Sequence, residues 1–142
     1  MRYLLYLFYL EILINLASIS QGLFMPAAFV MQFSAEPVSV AGAEVARWYA
    51  VLILVISYLL WRALQVRGKT LKVVLEALLV GDFVQIGAAI VTANQLGEWP
   101  LVVTAALVIS IVLAVARLLC LWQPQLAGIE HVGNTTTDSG SN

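Results

Sequence analysis

Apolar residues run along this chain in four long blocks, parted by short polar intervals and lacking the strict alternation that marks half-buried strands. The blocks cover about Tyr3 to Phe33, Trp48 to Leu64, Leu71 to Ala93 and Pro100 to Trp122. A helix crosses a hydrocarbon core of about 30 Å with about 20 apolar residues, each adding about 1.5 Å, so every block is a candidate span. Membrane barrel strands alternate over about ten residues and do not fit such continuous runs. The pattern predicts an all-α integral membrane four-helix bundle. Short connections make successive helices antiparallel neighbours. Within the first block, Gly22 and Pro26 predict a kink or break, because proline removes a backbone donor and crowds the turn before it. That block carries Glu11 and Asn15 and lacks a small-residue cleavage site, so it is expected to be a retained helix and not a removed leader. The Ser34 to Arg47 connection, with Pro37, Gly42 and two glutamates, is the one interval long enough to have shape. Residues 1–122 thus form the membrane domain. Residues 123–142, rich in Gly, Ser, Thr and Asn, are expected to be a mobile polar tail.

Composition sharpens this picture. The 142 residues are 62% hydrophobic and 11% charged, against about half and about a quarter in soluble domains. Seven Lys plus Arg against eight Asp plus Glu leave a net charge of −1, so no basic field exists to attract nucleic acid. The few positive residues set the orientation. Arg2, Arg62, Arg67, Lys69, Lys72 and Arg117 fall on one side and Arg47 alone on the other, which predicts cytoplasmic N and C termini. Trp48, Trp61, Trp99 and Trp122 sit at the expected helix ends, where indole rings favour headgroup depth.

Helices in lipid associate through close packing at small residues. Three stripes offer such contacts: Ser18, Gly22 and Pro26; Ala77, Gly81 and Ala89; Ala106, Ser110 and Ala114. The bulky run from Val51 to Leu60 is the candidate lipid-facing or partner-facing wall. A Val-Ile-Ser echo at Val55 to Ser57 and Val108 to Ser110 is read as coincidence of composition, since the following arginines lie at different intervals.

Ionisable residues inside a bilayer cost about 2.5 to 3.5 kcal/mol each on insertion scales, so each needs a partner, water or a proton. Matching depth along the helices predicts two structural ion pairs, Glu11 with Arg117 and Glu76 with Arg62, with Lys72 a second partner for Glu76 at i−4. Asp82 lies about eleven residues from either end of its block, with no basic residue at the same depth. Gln85 shares its face at i+3 and Asn15 lies at a corresponding depth in the first block, so Asp82, Gln85 and Asn15 form the candidate intramembrane polar site. An unpaired midplane carboxyl relieves its desolvation by taking up a proton. Asp82 is therefore expected to be neutral, acting either as interhelical glue or as a proton relay or ligand anchor.

Several chemistries have no residues to carry them. Cys120 is the sole cysteine, which excludes an intramolecular disulfide or a Cys-x-x-Cys pair. Cys120 could take an acyl chain by its position, though a free buried thiol is the plainer reading. The lone histidine, His131, lies in the tail and offers the bundle no haem ligand, and no metal or phosphate-binding motif is present, so no cofactor is expected. Asn134-Thr135-Thr136 matches a glycosylation acceptor on the side expected to be cytoplasmic.

The size, the four blocks, the Ala46-Arg47-Trp48 entry to the second block and the Leu78 to Asp82 stretch (Leu-Leu-Val-Gly-Asp) give the chain a resemblance to small bacterial four-helix membrane proteins of the DoxX-like kind. That resemblance implies a bacterial inner membrane and a helper role, and carries over no catalytic residue. Three functions follow as expectations. The first is a non-catalytic accessory or structural subunit that meets the lipid bilayer and other membrane subunits or itself. The alternative is a binding or carrier protein for a lipid, quinone or other apolar small molecule, anchored at Asp82. A membrane enzyme using Asp82 and Glu76 as acid and base comes last, because six residues turn them about 120° apart on a helix.

Overall fold

The computed structural model describes residues 3–33, 37–97 and 99–123, and among them every regular element is helical. The elements are α1 (Tyr3–Phe24), α2 (Pro26–Val30), α3 (Val40–Val66), α4 (Gly68–Leu96) and α5 (Leu101–Trp122). The four long helices are long and apolar enough to cross a membrane, which marks the chain, by length and composition, as an integral membrane protein. The tail from residue 124 onward, with His131 and Asn134, lies outside the described residues, as do Arg2 and Glu98.

Local chemistry moves the helix boundaries away from those read off hydropathy. The first block is not one helix to Phe33: α1 stops at Phe24 and the one-and-a-half-turn α2 restarts with Pro26 at its first position. Pro26 has no N–H to give the Gly22 carbonyl, whereas the flanking bonds Met25 N to Gln21 O (2.8 Å) and Phe29 N to Met25 O (3.0 Å) persist, so the break is confined to one step. The second span begins at Val40 and not at Trp48. Ser39 caps it, its hydroxyl accepting from the Gly42 N–H at 3.0 Å. Most of the expected outer connection is therefore helix, and Trp48 lies two turns inside α3, where its apolar run begins. The turn between α3 and α4 shrinks to Arg67, whose φ of 62° precedes a second positive φ at Gly68. Gly97, with φ of 69°, closes α4 in the left-handed conformation that glycine adopts without strain.

α1 packs on α3, α3 on α4, α4 on α5, and α5 returns to α1, so α1 stands diagonally opposite α4. The α1–α3 and α4–α5 seams are extensive and the α5–α1 seam is the thinnest. We call the end bearing the α3–α4 turn the near end, and the opposite one the far end. At the near end all four helices meet: Phe8 of α1, Leu60 and Leu64 of α3, Leu71 and Leu75 of α4 and Cys120 of α5 are fully buried in one cluster. At the far end the two pairs part. There Ala89, Ala93 and Val103 bind α4 to α5 alone, while Gly22 lets α1 lie against Ala46 and Ala50 of α3. A Cβ on Gly22 would stand 2.8 Å from the Ala50 Cβ. Of the first stripe, Gly22 thus makes a true helix contact, and Ser110 and Ala114 of the α5 stripe are buried. The α4 stripe is not a continuous contact, since Ala77 and Gly81 are exposed and a Cβ at Gly81 would meet nothing within 4 Å. On α3, Val51, Leu52, Leu54, Val55 and Leu59 face outward, while Ser57 and Leu60 turn inward and are buried.

Candidate functional site: a polar cavity over a buried charge cluster

Three ionisable side chains from three helices converge where the two helix pairs begin to separate. Arg117 of α5 is 1% exposed, Asp82 of α4 8% and Glu11 of α1 9%. Arg117 Nη1 donates to Asp82 Oδ2 and Nη2 donates to Glu11 Oε1, so one guanidinium ties two helices to a third. The planar fork of arginine suits this geometry, presenting two donors to two acceptors in fixed directions. The guanidinium carbon also stands 6.0 Å from the Phe8 ring centre, a cation–π contact that covers its other side. Glu11 Oε2 and Arg117 Nε are buried without a hydrogen-bond partner.

Asp82 therefore does have a counter-ion, contrary to the depth argument. Depth along the helix axis misleads because side chains lean toward their helix N-terminus. α4 and α5 are antiparallel, so Asp82 leans toward the near end while Arg117 leans toward the far end. An axial offset of about 8 Å, from helix midpoints at about 1.5 Å per residue, is closed from both sides. A proton is not required to relieve Asp82 once Arg117 is beside it. Asn15 likewise is not its partner: the Asn15 amide donates to the Ser57 hydroxyl of α3 at 3.1 Å.

Glu76 and Arg62 do not form the expected pair. Glu76 lies 3.8 Å from Lys72 on its own helix, both side chains about half exposed, and Arg62 rests beside the Trp61 ring at 6.0 Å. Near a helix end at the membrane boundary, long basic side chains reach outward more readily than across to a neighbour. Asp82 and Glu76 do not converge either, since one is in the buried cluster and the other is on the outer surface. That removes them as an acid–base dyad.

Beyond the cluster, toward the far end, the diverging helix pairs border a half-open cavity of about 530 Å³. Glu11, Asp82 and Leu113 border its near end, which we call the floor, and Gln21, Gln32, Phe33 and Tyr49 border its far end, which we call the mouth. From Glu11 to Gln21 along α1 the depth is about 15 Å at about 1.5 Å per residue. Asn15 and Ser18 of α1, Gln85 of α4 and Ser110 of α5 add polar groups to walls built from Ile14, Ile53, Val102 and Ile109. The Gln32 amide donates to the Gln21 carbonyl at 3.0 Å and so ties the chain after α2 back to α1 at the mouth. The three residues of the expected polar site, Asp82, Gln85 and Asn15, all border this one space.

The sequence pattern does not single out Gln32 or Tyr49 and places Ser110 only in a packing stripe, whereas Gln21 does carry a signal. Glu11, Asn15, Ser18 and Gln21 recur at four, three and three residues, which is a polar stripe on one face of an apolar helix. Among the described residues no group of three His, Cys, Asp or Glu could hold a metal ion. No protein-family model, no curated protein and no solved structure matches this chain.

Proposed function

We propose that this chain is a membrane-embedded binding or carrier protein for an amphipathic small molecule of the lipid or quinone kind. Its ligand inserts a polar head between the two helix pairs and leaves its apolar body against the isoleucine and valine walls. The observation that carries this reading is the joint presence of a cavity of about 530 Å³ and a buried charge cluster at its floor. That combination of concave apolar walls with a few convergent polar groups is the usual make-up of a ligand site. Intramembrane charges that face a cavity and not the lipid mark ligand or ion pathways.

A second reading, the accessory subunit, draws support from the thin α5–α1 seam, which leaves that side of the cavity within reach of a helix from another polypeptide. The distribution of positive residues supports cytoplasmic termini, putting the cavity mouth on the outer face. The resemblance in size and span pattern to small bacterial membrane proteins supports residence in a bacterial inner membrane.

An environment-sensitive fluorescent amphiphile titrated into the purified chain tests the ligand reading. Binding should saturate at one site per chain and weaken by about tenfold or more, equivalent to about 1.4 kcal/mol, in Ala106→Phe, which fills the cavity. Val115→Phe, on the outward face of α5, should leave binding unchanged. Equal binding to both variants rejects the reading.

A further inference from the structure

The charges at the cavity floor do not balance. Two carboxyls, Glu11 and Asp82, face one guanidinium, Arg117. Both carboxyl residues belong to the cavity lining, whereas Arg117 lies behind them and does not. Among the described residues the lining includes no Lys, Arg or His. A molecule entering from the mouth therefore meets negative charge first, with the compensating positive charge screened from it by the two carboxylates. Glu11 Oε2 is the unsatisfied acceptor of this arrangement: Oε1 is committed to Arg117, and Oε2 is buried out of reach of the cavity space with no partner, so it meets a ligand only as the Glu11 side chain turns.

The groups facing this floor are few. α1 contributes Glu11, α4 Asp82 and α5 Arg117, while α3 turns only the neutral Tyr49 and Ile53 to the cavity and α2 only Phe29. No other described charge can supply the missing positive unit. An uncompensated charge in low dielectric is strongly disfavoured, so a proton or a cation must supply it.

We propose that the cavity takes a monovalent organic cation with an apolar body, whose positive charge pairs with the Glu11 carboxylate in exchange for one proton. This rests on the reading of the cavity as a ligand site and narrows the ligand to one class. In the empty state one proton is held on the Glu11 carboxyl, whose Oε2 has no other partner. When the cation enters, that proton leaves through the mouth to water, and the cluster keeps the same total charge. Anionic amphiphiles are rejected, because they would bring a like charge onto the carboxylates in a poorly screened site.

Tetraphenylphosphonium, its near-isosteric anion tetraphenylborate and the neutral triphenylphosphine oxide separate charge from shape. Equilibrium dialysis against the purified full chain in nonionic detergent, corrected for empty micelles, should give saturable binding of the phosphonium at one per chain. The borate should not bind. Glu11→Gln should weaken the phosphonium by about tenfold or more. Calorimetry in two buffers of different ionisation enthalpy should register about one proton released per cation bound by the wild-type chain. Should the glutamine variant fail to fold, Asp82→Asn replaces it, and the wild-type proton count decides alone. Equal binding of all three probes, preference for the borate, or no proton release overturns the cation assignment. Under those outcomes the ligand reading survives if the fluorescent amphiphile still binds and Ala106→Phe still blocks it. If that amphiphile also fails to bind, both readings fall.

Discussion

At the residue scale, the account turns on Arg117. Its two η nitrogens hold carboxylates from two other helices, and a buried ion pair responds asymmetrically to change. Removing one partner strands the other charge, at a cost of about 3 to 5 kcal/mol, whereas replacing all partners with apolar groups can be neutral or stabilising. Arg117→Met should therefore destabilise the chain by about 3 to 5 kcal/mol in a denaturant titration in mixed micelles. Adding Glu11→Leu and Asp82→Leu to Arg117→Met should recover most of that loss while abolishing the proposed ligand binding. A triple variant as unstable as the single one would mean that the cluster is needed for folding itself. The Glu11–Arg117 contact was legible from depth along two helices. Asp82's share in it was not, because helix adjacency and the opposite lean of side chains on antiparallel helices are tertiary properties. The Glu76–Arg62 expectation failed for the complementary reason that exposed basic side chains have solvent or headgroups as a better alternative than a cross-helix partner.

At the scale of elements, long apolar runs made the four spans readable, but their ends are set by chemistry that hydropathy does not weigh. Ser39 extends α3 by two turns through a single cap, and Pro26 divides the first block through a single missing donor. The stripes illustrate the same limit, since small residues at helical spacing say that close approach is possible and not that it occurs. Gly22 and Gly81 provide a direct contrast. A Cβ at Gly22 would stand 2.8 Å from the Ala50 Cβ and 3.2 Å from the Ala46 carbonyl oxygen, so Gly22→Ala should cost about 1 to 3 kcal/mol through overpacking of the α1–α3 seam. Ala50→Gly in the same chain should restore part of it, because the closer of the two clashes is with the Ala50 methyl. Gly81→Ala meets nothing within 4 Å and should change stability by no more than about 0.5 kcal/mol. Thermal unfolding of these three purified variants beside the unaltered chain distinguishes a seam contact from a coincidence of spacing.

At the scale of the whole molecule, the division of labour is between a near end that is packed and a far end that is parted. Phe8, Leu60, Leu64, Leu71, Leu75 and Cys120 close the bundle below the charge cluster, and the loss of four-helix contact above it leaves the cavity. The polar stripe of α1 runs up one wall of that cavity, which explains why an apolar helix retains Asn15, Ser18 and Gln21. That stripe could be seen in the chain, but the facing wall could not, since it is made largely of ordinary aliphatic residues whose only distinction is where α5 places them. The central claim is that water and solutes reach this space from the far end. The most direct measurement is the modification rate of Ser18→Cys, in a Cys120→Ala background, by a hydrophilic membrane-impermeant thiol reagent, compared with Val115→Cys on the outward face of α5. Thiolates form only where water reaches, so the cavity account predicts modification at residue 18 at least about tenfold faster, from one face of the membrane only, and, under the proposed function, slowed by the fluorescent amphiphile. Modification at residue 18 no faster than at residue 115 from either face would contradict it.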